Sequence, residues 1–172
     1  MADGLAEPVV LDATVLSNFA SSAALSWLVE LLDRPVAVDA VRDELERGRD
    51  LGYGFLADAL DALGTAIPVV PAGDLPNATD AHRIRERLDA GEAASLLVAA
   101  ERGGCLATDD LAARRVANAH DVPVTGSIGL LVVGVERDTL AASTADEWLT
   151  TWRAERGYHA PVDSISDVLE GE

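Results

Sequence analysis

Lysine is absent from this sequence, and cysteine and aromatic residues are scarce. All 13 basic side chains are arginine, there is a single cysteine, and Phe, Trp and Tyr make up 4% of the 172 residues. One cysteine excludes an internal disulfide framework and a cysteine-based zinc site. The lack of lysine argues against a P-loop, a receiver domain or a haloacid-dehalogenase-type phosphatase, whose sites require or usually carry one.

Long apolar runs are also absent. No uninterrupted run reaches the roughly 18 residues that mark a membrane span, and the first ten residues, MADGLAEPVV, carry neither the basic region nor the long apolar region of a leader peptide. We therefore expect a cytoplasmic protein that does not associate with a membrane.

Acidic residues are abundant instead. Asp and Glu number 30, which gives a net charge of −17. An acidic, lysine-free sequence of this kind is similar to proteins of salt-loving organisms, where carboxylates hydrate the surface and a Debye length of about 3 Å at 1 M salt screens their repulsion. An ordinary acidic protein is the alternative. In either case most carboxylates are expected at the surface, so a functional one must be identified by its position.

Short apolar runs alternate with helical periodicity along the chain, which is typical of an α/β fold with a central, mainly parallel sheet of about five strands. Asp39 and Thr79 are predicted to cap helices, and Gly64 and Gly103 to end them. We predict one domain over residues 1–172, with a core at about 8–135 and a helical extension at about 143–170. The predicted strands are 9–12, 36–38, 67–70, 105–108 and 122–125, and the predicted helices are 15–32, 40–47, 53–63, 78–89, 92–102, 110–119, 127–136 and 143–156.

Five acids occupy unusual positions in this pattern. Asp12 ends the first strand, Asp109 and Asp110 follow the strand CLAT, Glu44 lies on a helix, and Glu92 begins an otherwise apolar helix. Each has a simpler explanation as a helix cap, a first-turn charge or a solvent-exposed residue.

Taken together, the acids suggest a single site. Ligands of parallel sheets bind beyond the carboxyl ends of the strands, and the first and fourth predicted strands are expected to be neighbours there. Crowded carboxylates raise one another's pKa unless a cation intervenes. Oxygen ligands without histidine or thiolate favour Mg²⁺ or Mn²⁺, whose usual chemistry in such a site is phosphodiester hydrolysis.

The segments VVLDATVL, VAVDAVRDELERG, LDAGEAASLLVAA and ATDDLAARRVANAHDVPVTGSIGLL carry these acids in an order and spacing that resemble the PIN-domain nucleases. The Gly-Glu helix start and the Asp-Asp pair followed by arginines are similar to a subgroup of predicted nucleic-acid-binding PIN proteins, related to VapC-like toxins. The resemblance runs from about Pro8 to Leu169. It implies a three-layer α/β/α fold.

The resemblance also implies a site and an activity. Asp12, Glu92, Asp109 and Asp110 would bind Mg²⁺ or Mn²⁺, and Glu44 would complete the catalytic acids. Thr14 and Thr108 would support the site. Whether Asp109 or Asp110 is the direct ligand stays open. The implied activity is an endoribonuclease on single-stranded RNA, with a homodimeric state, and with a small antitoxin as partner if the protein is a toxin. The alternative is a non-catalytic PIN-like module that binds RNA or protein.

Two groups of arginines are candidates for RNA contacts, since phosphate binding requires cations. Arg114 and Arg115 follow the Asp-Asp pair, and Arg83, Arg85 and Arg87 precede Glu92. Ion pairing on solvated helix faces is the alternative role for both groups.

Overall fold

The structure, a computed structural model, describes residues 4–73 and 76–171; residues 1–3, 74, 75 and 172 lie outside the described part. Within that part the chain forms five strands and ten helices. The strands are β1 (Val9–Leu11), β2 (Pro35–Val38), β3 (Val69–Val70), β4 (Cys105–Ala107) and β5 (Val124–Thr125). The helices are α1 (Ala13–Ser21), α2 (Leu25–Leu31), α3 (Asp39–Asp50), α4 (Leu56–Ala62), α5 (Ala78–Arg87), α6 (Ala90–Arg102), α7 (Leu111–Ala119), α8 (Ser127–Glu136), α9 (Ala142–Arg156) and α10 (Ile165–Glu170).

The sheet is fully parallel, with strand order β3-β2-β1-β4-β5. Helices cover both of its faces, so the predicted three-layer α/β/α architecture is confirmed. The order runs outward from β1 in two directions, which makes the β1–β4 boundary the switch point where ligands bind in open parallel sheets. The predicted pairing of the first and fourth strands is confirmed, since Val9 is in register with Cys105 and Leu11 with Ala107.

The two central strands are apolar because both of their sides are covered. Val9, Val10 and Leu11 of β1 are completely buried, and Cys105, Leu106 and Ala107 of β4 nearly so. Strands packed between two helical layers read as continuous hydrophobic runs, not as alternating ones. This is why VVL and CLA were recognisable in the sequence, and why a polar residue directly after them is conspicuous.

Most predicted helices are present with ends that differ by a few residues, but one of them is divided in the structure. The predicted helix 15–32 is two helices, α1 and α2, separated at Ala23, whose backbone has φ +54. The N–H of Ala24 returns to the carbonyl of Phe19 at 2.8 Å, which ends α1 and lets α2 leave in a new direction. The apolar pattern continues through the break because both helices bury a face, so the pattern gave no sign of it.

Two predicted caps were also wrong, while the predicted helix end at Gly103 is confirmed. Asn77, not Thr79, caps α5, since its side chain accepts from the N–H groups of Thr79 and Asp80. Asp39 lies inside the first turn of α3. Gly103 follows α6 in the left-handed conformation at φ +66. None of the helices in the described residues is long and apolar enough to cross a bilayer.

An aromatic cluster packs helix α9 against α1 and the residue Trp27 of α2. Phe19 of α1 stacks on Trp27 at a centroid distance of 5.8 Å and meets Trp152 of α9 edge to face at 5.1 Å. The Trp152 indole N–H also donates to the Ser22 hydroxyl at 3.2 Å. Aromatic pairs of this geometry add about 0.5–1.5 kcal/mol each beyond burial. The end of α9 is thereby held beside α1, close to the carboxyl ends of the strands.

Candidate active site

Asp12 lies at the switch point of the sheet, directly after β1, and is 2% exposed. Its Oδ2 accepts hydrogen bonds from the hydroxyls of Thr14 at 3.0 Å and Thr108 at 2.9 Å. Its Oδ1 is buried and has no hydrogen-bond partner among the described residues. Burial raises the pKa of Asp12 above its usual value, partly offset by the two threonine hydrogen bonds. A buried carboxylate oxygen without a partner is costly, and it is available to a ligand.

The helix-cap explanation does not account for Asp12. It stands at the N-cap position of α1, but its side chain makes no capping hydrogen bond. The two threonines instead hold it in place and connect it to the end of β4. Each hydroxyl donates to Asp12 and accepts a backbone N–H: Thr14 from Asp109 at 3.1 Å, and Thr108 from Asp110 at 3.2 Å. The ends of the two central strands are therefore joined through Asp12.

Glu92 lies in the first turn of α6 and forms a capping box with Asp89. The Glu92 N–H donates to Asp89 Oδ1 at 2.8 Å, and the Asp89 N–H donates to Glu92 Oε2 at 3.2 Å. Glu92 therefore does have the first-turn role in α6 that was the simpler explanation of its position. Burial nevertheless raises the pKa of Glu92 to about 7, and the charges of Asp89, Asp110 and Asp12 act in the same direction. A capping residue does not need other acids nearby. Because the charges of Asp12 and Asp110 act on Glu92, we assign Glu92 to the same site as these two acids.

Glu44 faces this site from α3, the helix that follows β2. It is half-buried, and a Cβ on Gly91 of α6 would lie only 3.2 Å from Glu44 Oε2, which shows how closely the two helices approach. Burial raises the pKa of Glu44, and the charges of Asp12 and Asp89 raise it further. Asp89, which the sequence reading did not single out, is the common neighbour of all three perturbed acids.

Asp109 and Asp110 have different surroundings although they are adjacent. Asp110 caps α7 by accepting the N–H of Ala113 at 2.8 Å, and its charge contributes to the raised pKa of Glu92. Asp109 is turned towards α8. Its Oδ1 accepts the Ser127 N–H at 2.8 Å, and its Oδ2 accepts the amide of Asn18 at 3.1 Å.

The Asp109 carboxylate is enclosed by further donors. The Ser127 hydroxyl donates to Oδ2, and the Tyr158 hydroxyl donates to Oδ1 at 3.4 Å. Burial, together with the charge of Asp109, raises the pKa of Tyr158. Gly126 permits this approach, because a Cβ there would lie 2.8 Å from Asp109 Oδ1. All of these donors lie on the α8 and α9 side of the fold.

Two residues that were not predicted from the sequence, Asn18 and Arg156, connect Asp109 to helix α9. Asn18, 3% exposed on α1, donates to Asp109 and to the Ser127 hydroxyl and accepts from Arg156 Nε at 3.0 Å. Arg156 ends α9, 138 residues further along the chain. The sequence did offer one signal for Asn18, because it is a polar residue within the largely apolar predicted helix 15–32. No local pattern distinguished Arg156 from the other arginines.

Two clefts open on either side of Thr14, and Arg156 lines both. The first, of about 500 Å³, is bordered by Glu44, Asp89 and Gly91. The second, of about 510 Å³, is bordered by Asn18, Asp109 and Asp110. Glu44, Asp89, Asp109 and Asp110 therefore border clefts that both extend to Arg156 at the end of α9.

The candidate RNA-binding arginines are distributed unevenly around these clefts. Arg114 is half-buried, and its Nη1 donates to the Thr108 carbonyl at 3.1 Å, beside Asp109. Arg115 is exposed on α7, and Arg83, Arg85 and Arg87 are exposed on α5. Arg114 also lines a third cleft, of about 360 Å³, which Asp109 and Tyr158 border as well.

The chemistry of the site suits a hard divalent cation, although no cage is preformed. In the described ranges 4–73 and 76–171, no group of three or more His, Cys, Asp or Glu side chains comes together closely enough to hold a metal ion. The acids that influence one another here, Asp12, Glu44 and Glu92, nevertheless offer carboxylate oxygens, the ligands that Mg²⁺ and Mn²⁺ prefer. Burial is the main cause of the raised pKa values of Asp12, Glu44 and Glu92, and a cation bound at the unpartnered Oδ1 of Asp12 would stabilise the charged form of all three acids.

The chain is thus a doubly wound α/β/α protein with acids at the switch point of its sheet. A family model for the PIN domain matches residues 8–171, nearly the whole chain. The chain therefore belongs to the PIN-domain family, whose members are generally nucleases that use divalent metals. A search of curated proteins finds no match to the chain.

Proposed function

We propose that this protein is a metal-dependent endoribonuclease that hydrolyses phosphodiester bonds of single-stranded RNA. The observation that carries the proposal is Asp12: a buried carboxylate at the switch point, fixed through one oxygen by two threonines and with the other oxygen unpartnered. A structural aspartate would use both oxygens within the fold. The charge of this one instead acts on Glu44 and Glu92, whose pKa values it helps to raise.

Asp12, Glu92 and Asp110 would hold Mg²⁺ or Mn²⁺, with Glu44 beside them. When bound, the ion would lower the pKa of a water molecule and stabilise charge on the phosphate. Thr14 and Thr108 orient Asp12. We place Asp109 outside the direct ligands, because its two oxygens already accept hydrogen bonds from Ser127 and Asn18, and we assign it the role of fixing α8 and α1 around the site.

Digestion of a labelled single-stranded RNA tests the proposal. The wild type should cut with Mg²⁺ or Mn²⁺ and stop with EDTA, and Asp12→Asn should not cut although it folds. Asp110→Asn should also lose cleavage while keeping its cap, because asparagine caps helices as well as aspartate does. Asp43→Asn, at an exposed position on α3, is the matched control. Full-rate cleavage by Asp12→Asn would refute the proposal.

A non-catalytic binding module is the second candidate, and one observation favours it. The described acids do not form a preformed metal-binding group, so a protein that binds RNA without cutting it is consistent with the same pocket. Binding of RNA by the wild type without any cleavage, across both metals and from low to molar salt, would select this candidate.

The remaining predictions concern partners and origin. The homodimer, the small antitoxin and the toxin role follow only from the family resemblance, and adaptation to high salt only from the charge of −17. Light scattering at several KCl concentrations would measure the oligomeric state, and the neighbouring open reading frame would show whether an antitoxin is encoded.

A further inference from the structure

The loop between α3 and α4 presents an aromatic and an apolar side chain to solvent beside the first cleft. Leu51 is 80% exposed and Tyr53 is 56% exposed. The loop is fixed in this conformation: Gly52 has φ +108, which favours glycine, and the Tyr53 N–H donates to the Gly48 carbonyl at 3.2 Å. The backbone conformation of this turn therefore keeps the side chains of Leu51 and Tyr53 exposed.

A row of contacts leads from this loop to the acids. The Tyr53 ring meets the Phe55 ring edge to face at 6.2 Å, and the Arg156 guanidinium carbon lies 5.2 Å from the Phe55 centroid. Arg156 in turn donates to Asn18, which holds Asp109. Aromatic rings, a guanidinium and an aspartate are thus linked by successive contacts from the loop to Asp109.

Among residues 4–73 and 76–171, Arg156 forms no salt bridge with a carboxylate. Only its Nε is used, on the neutral amide of Asn18, and the half-buried guanidinium faces both clefts. A guanidinium with free donors is suited to a phosphate, which it can bind through two hydrogen bonds.

We propose that the loop 51–55 and Arg156 form a subsite for single-stranded RNA next to the acids, in which a base stacks on Tyr53 and a backbone phosphate binds Arg156. Aromatic side chains beside a cationic groove are how proteins hold single strands without reading their sequence. The assignment of the neighbouring acids to cleavage rests on the proposed function, but binding at this subsite does not require cleavage.

Fluorescence anisotropy with a labelled single-stranded oligoribonucleotide tests the subsite in the full chain. All variants carry Asp12→Asn, so that bound RNA stays intact, and binding is measured in Mg²⁺ at several KCl concentrations. Tyr53→Ala should weaken binding at least about 5-fold, since a stacked base contributes that much or more. Tyr53→Phe keeps the ring and should stay within about 2-fold of the parent.

The salt dependence distinguishes a phosphate contact from a structural role of Arg156. Arg156→Gln should weaken binding and reduce the slope of log Kd against log KCl by about 0.7, the value for one phosphate on a single strand. Arg156→Lys should restore most of the slope. Arg102→Gln, at the end of α6 furthest from its capping box, is the matched control and should change neither quantity. Thermal melting verifies that each variant is folded.

The outcomes separate this proposal from the nuclease assignment. Unchanged RNA binding in Tyr53→Ala and Arg156→Gln would overturn the subsite even if the wild type cuts RNA. Failure of the parent to bind RNA would also overturn it. The expected losses of affinity in a protein whose wild type never cuts RNA would support the subsite and refute the nuclease.

Discussion

Replacing Glu92 by Gln should stabilise the metal-free protein at pH 8 and leave its stability near pH 5 almost unchanged. Burial, with the charges of Asp89, Asp110 and Asp12, raises the pKa of Glu92 from 4.5 to about 7. The folded state therefore binds a proton more tightly than the unfolded state. Between pH 4.5 and 7 the unfolded chain releases this proton first, so the free energy of unfolding falls as the pH rises.

The size of the effect follows from the shift. A difference between 4.5 and about 7 corresponds to about 3 kcal/mol at full strength, and screening by solvent at this half-buried side chain reduces it to about 1–2 kcal/mol. Gln carries no charge at any pH and still offers an oxygen to the Asp89 N–H, as capping boxes accept Glu or Gln. The variant should therefore melt about 2–6 °C higher than the wild type at pH 8.

Urea denaturation in EDTA at fixed KCl, repeated from pH 5 to pH 8, measures the difference. Glu46→Gln is the matched control, because it removes the same charge from an exposed position on α3. Two results would refute the reasoning: a wild type and a Glu92→Gln variant with parallel pH profiles, or a control that gains as much stability as the variant. Either would mean that Glu92 does not sense the other acids.

Further predictions follow from the same site. Mn²⁺ should raise the melting temperature of the wild type and leave that of Asp12→Asn unchanged; an equal rise in both would place the metal elsewhere. Thr108→Val, which removes the donor to Asp12 and the acceptor for the Asp110 N–H, should cost about 1–3 kcal/mol in denaturation, with Thr108→Ser restoring most of it. Gly126→Ala should cost a similar amount, because its Cβ would lie 2.8 Å from Asp109 Oδ1, which the Ser127 N–H holds in place, whereas Gly54→Ala meets nothing within 4 Å. Raising KCl from 0.1 to 2 M should raise the melting temperature, since the charge of −17 is then screened; a falling value would contradict the proposed salt adaptation.

The sheet and Asp12 were predictable from the sequence because their signals are local. Each strand is a short apolar run bounded by turn residues, and a charged residue directly after a fully buried strand has few explanations. The Asn18–Arg156 contact was not predictable, because it joins positions 138 residues apart on two helices. The division of 15–32 at Ala23 was hidden for a different reason: both resulting helices bury a face, so hydrophobic periodicity continues through the break.

The Asp-Asp pair shows why spacing alone left the ligand question open. The backbone of Asp110 is extended, with φ −73 and ψ 124, and successive side chains of an extended segment point to opposite sides. One carboxylate of the pair therefore reaches the side of Glu92, and the other reaches Ser127 and Asn18. Turning Asp109 away gives its charge the N–H of Ser127 at the start of α8, where a helix stabilises an anion, and so reduces the repulsion around Asp12. Through Asn18, the same carboxylate holds the Arg156 side chain at the cleft, so the acid that we place outside the metal site connects it to the proposed RNA subsite.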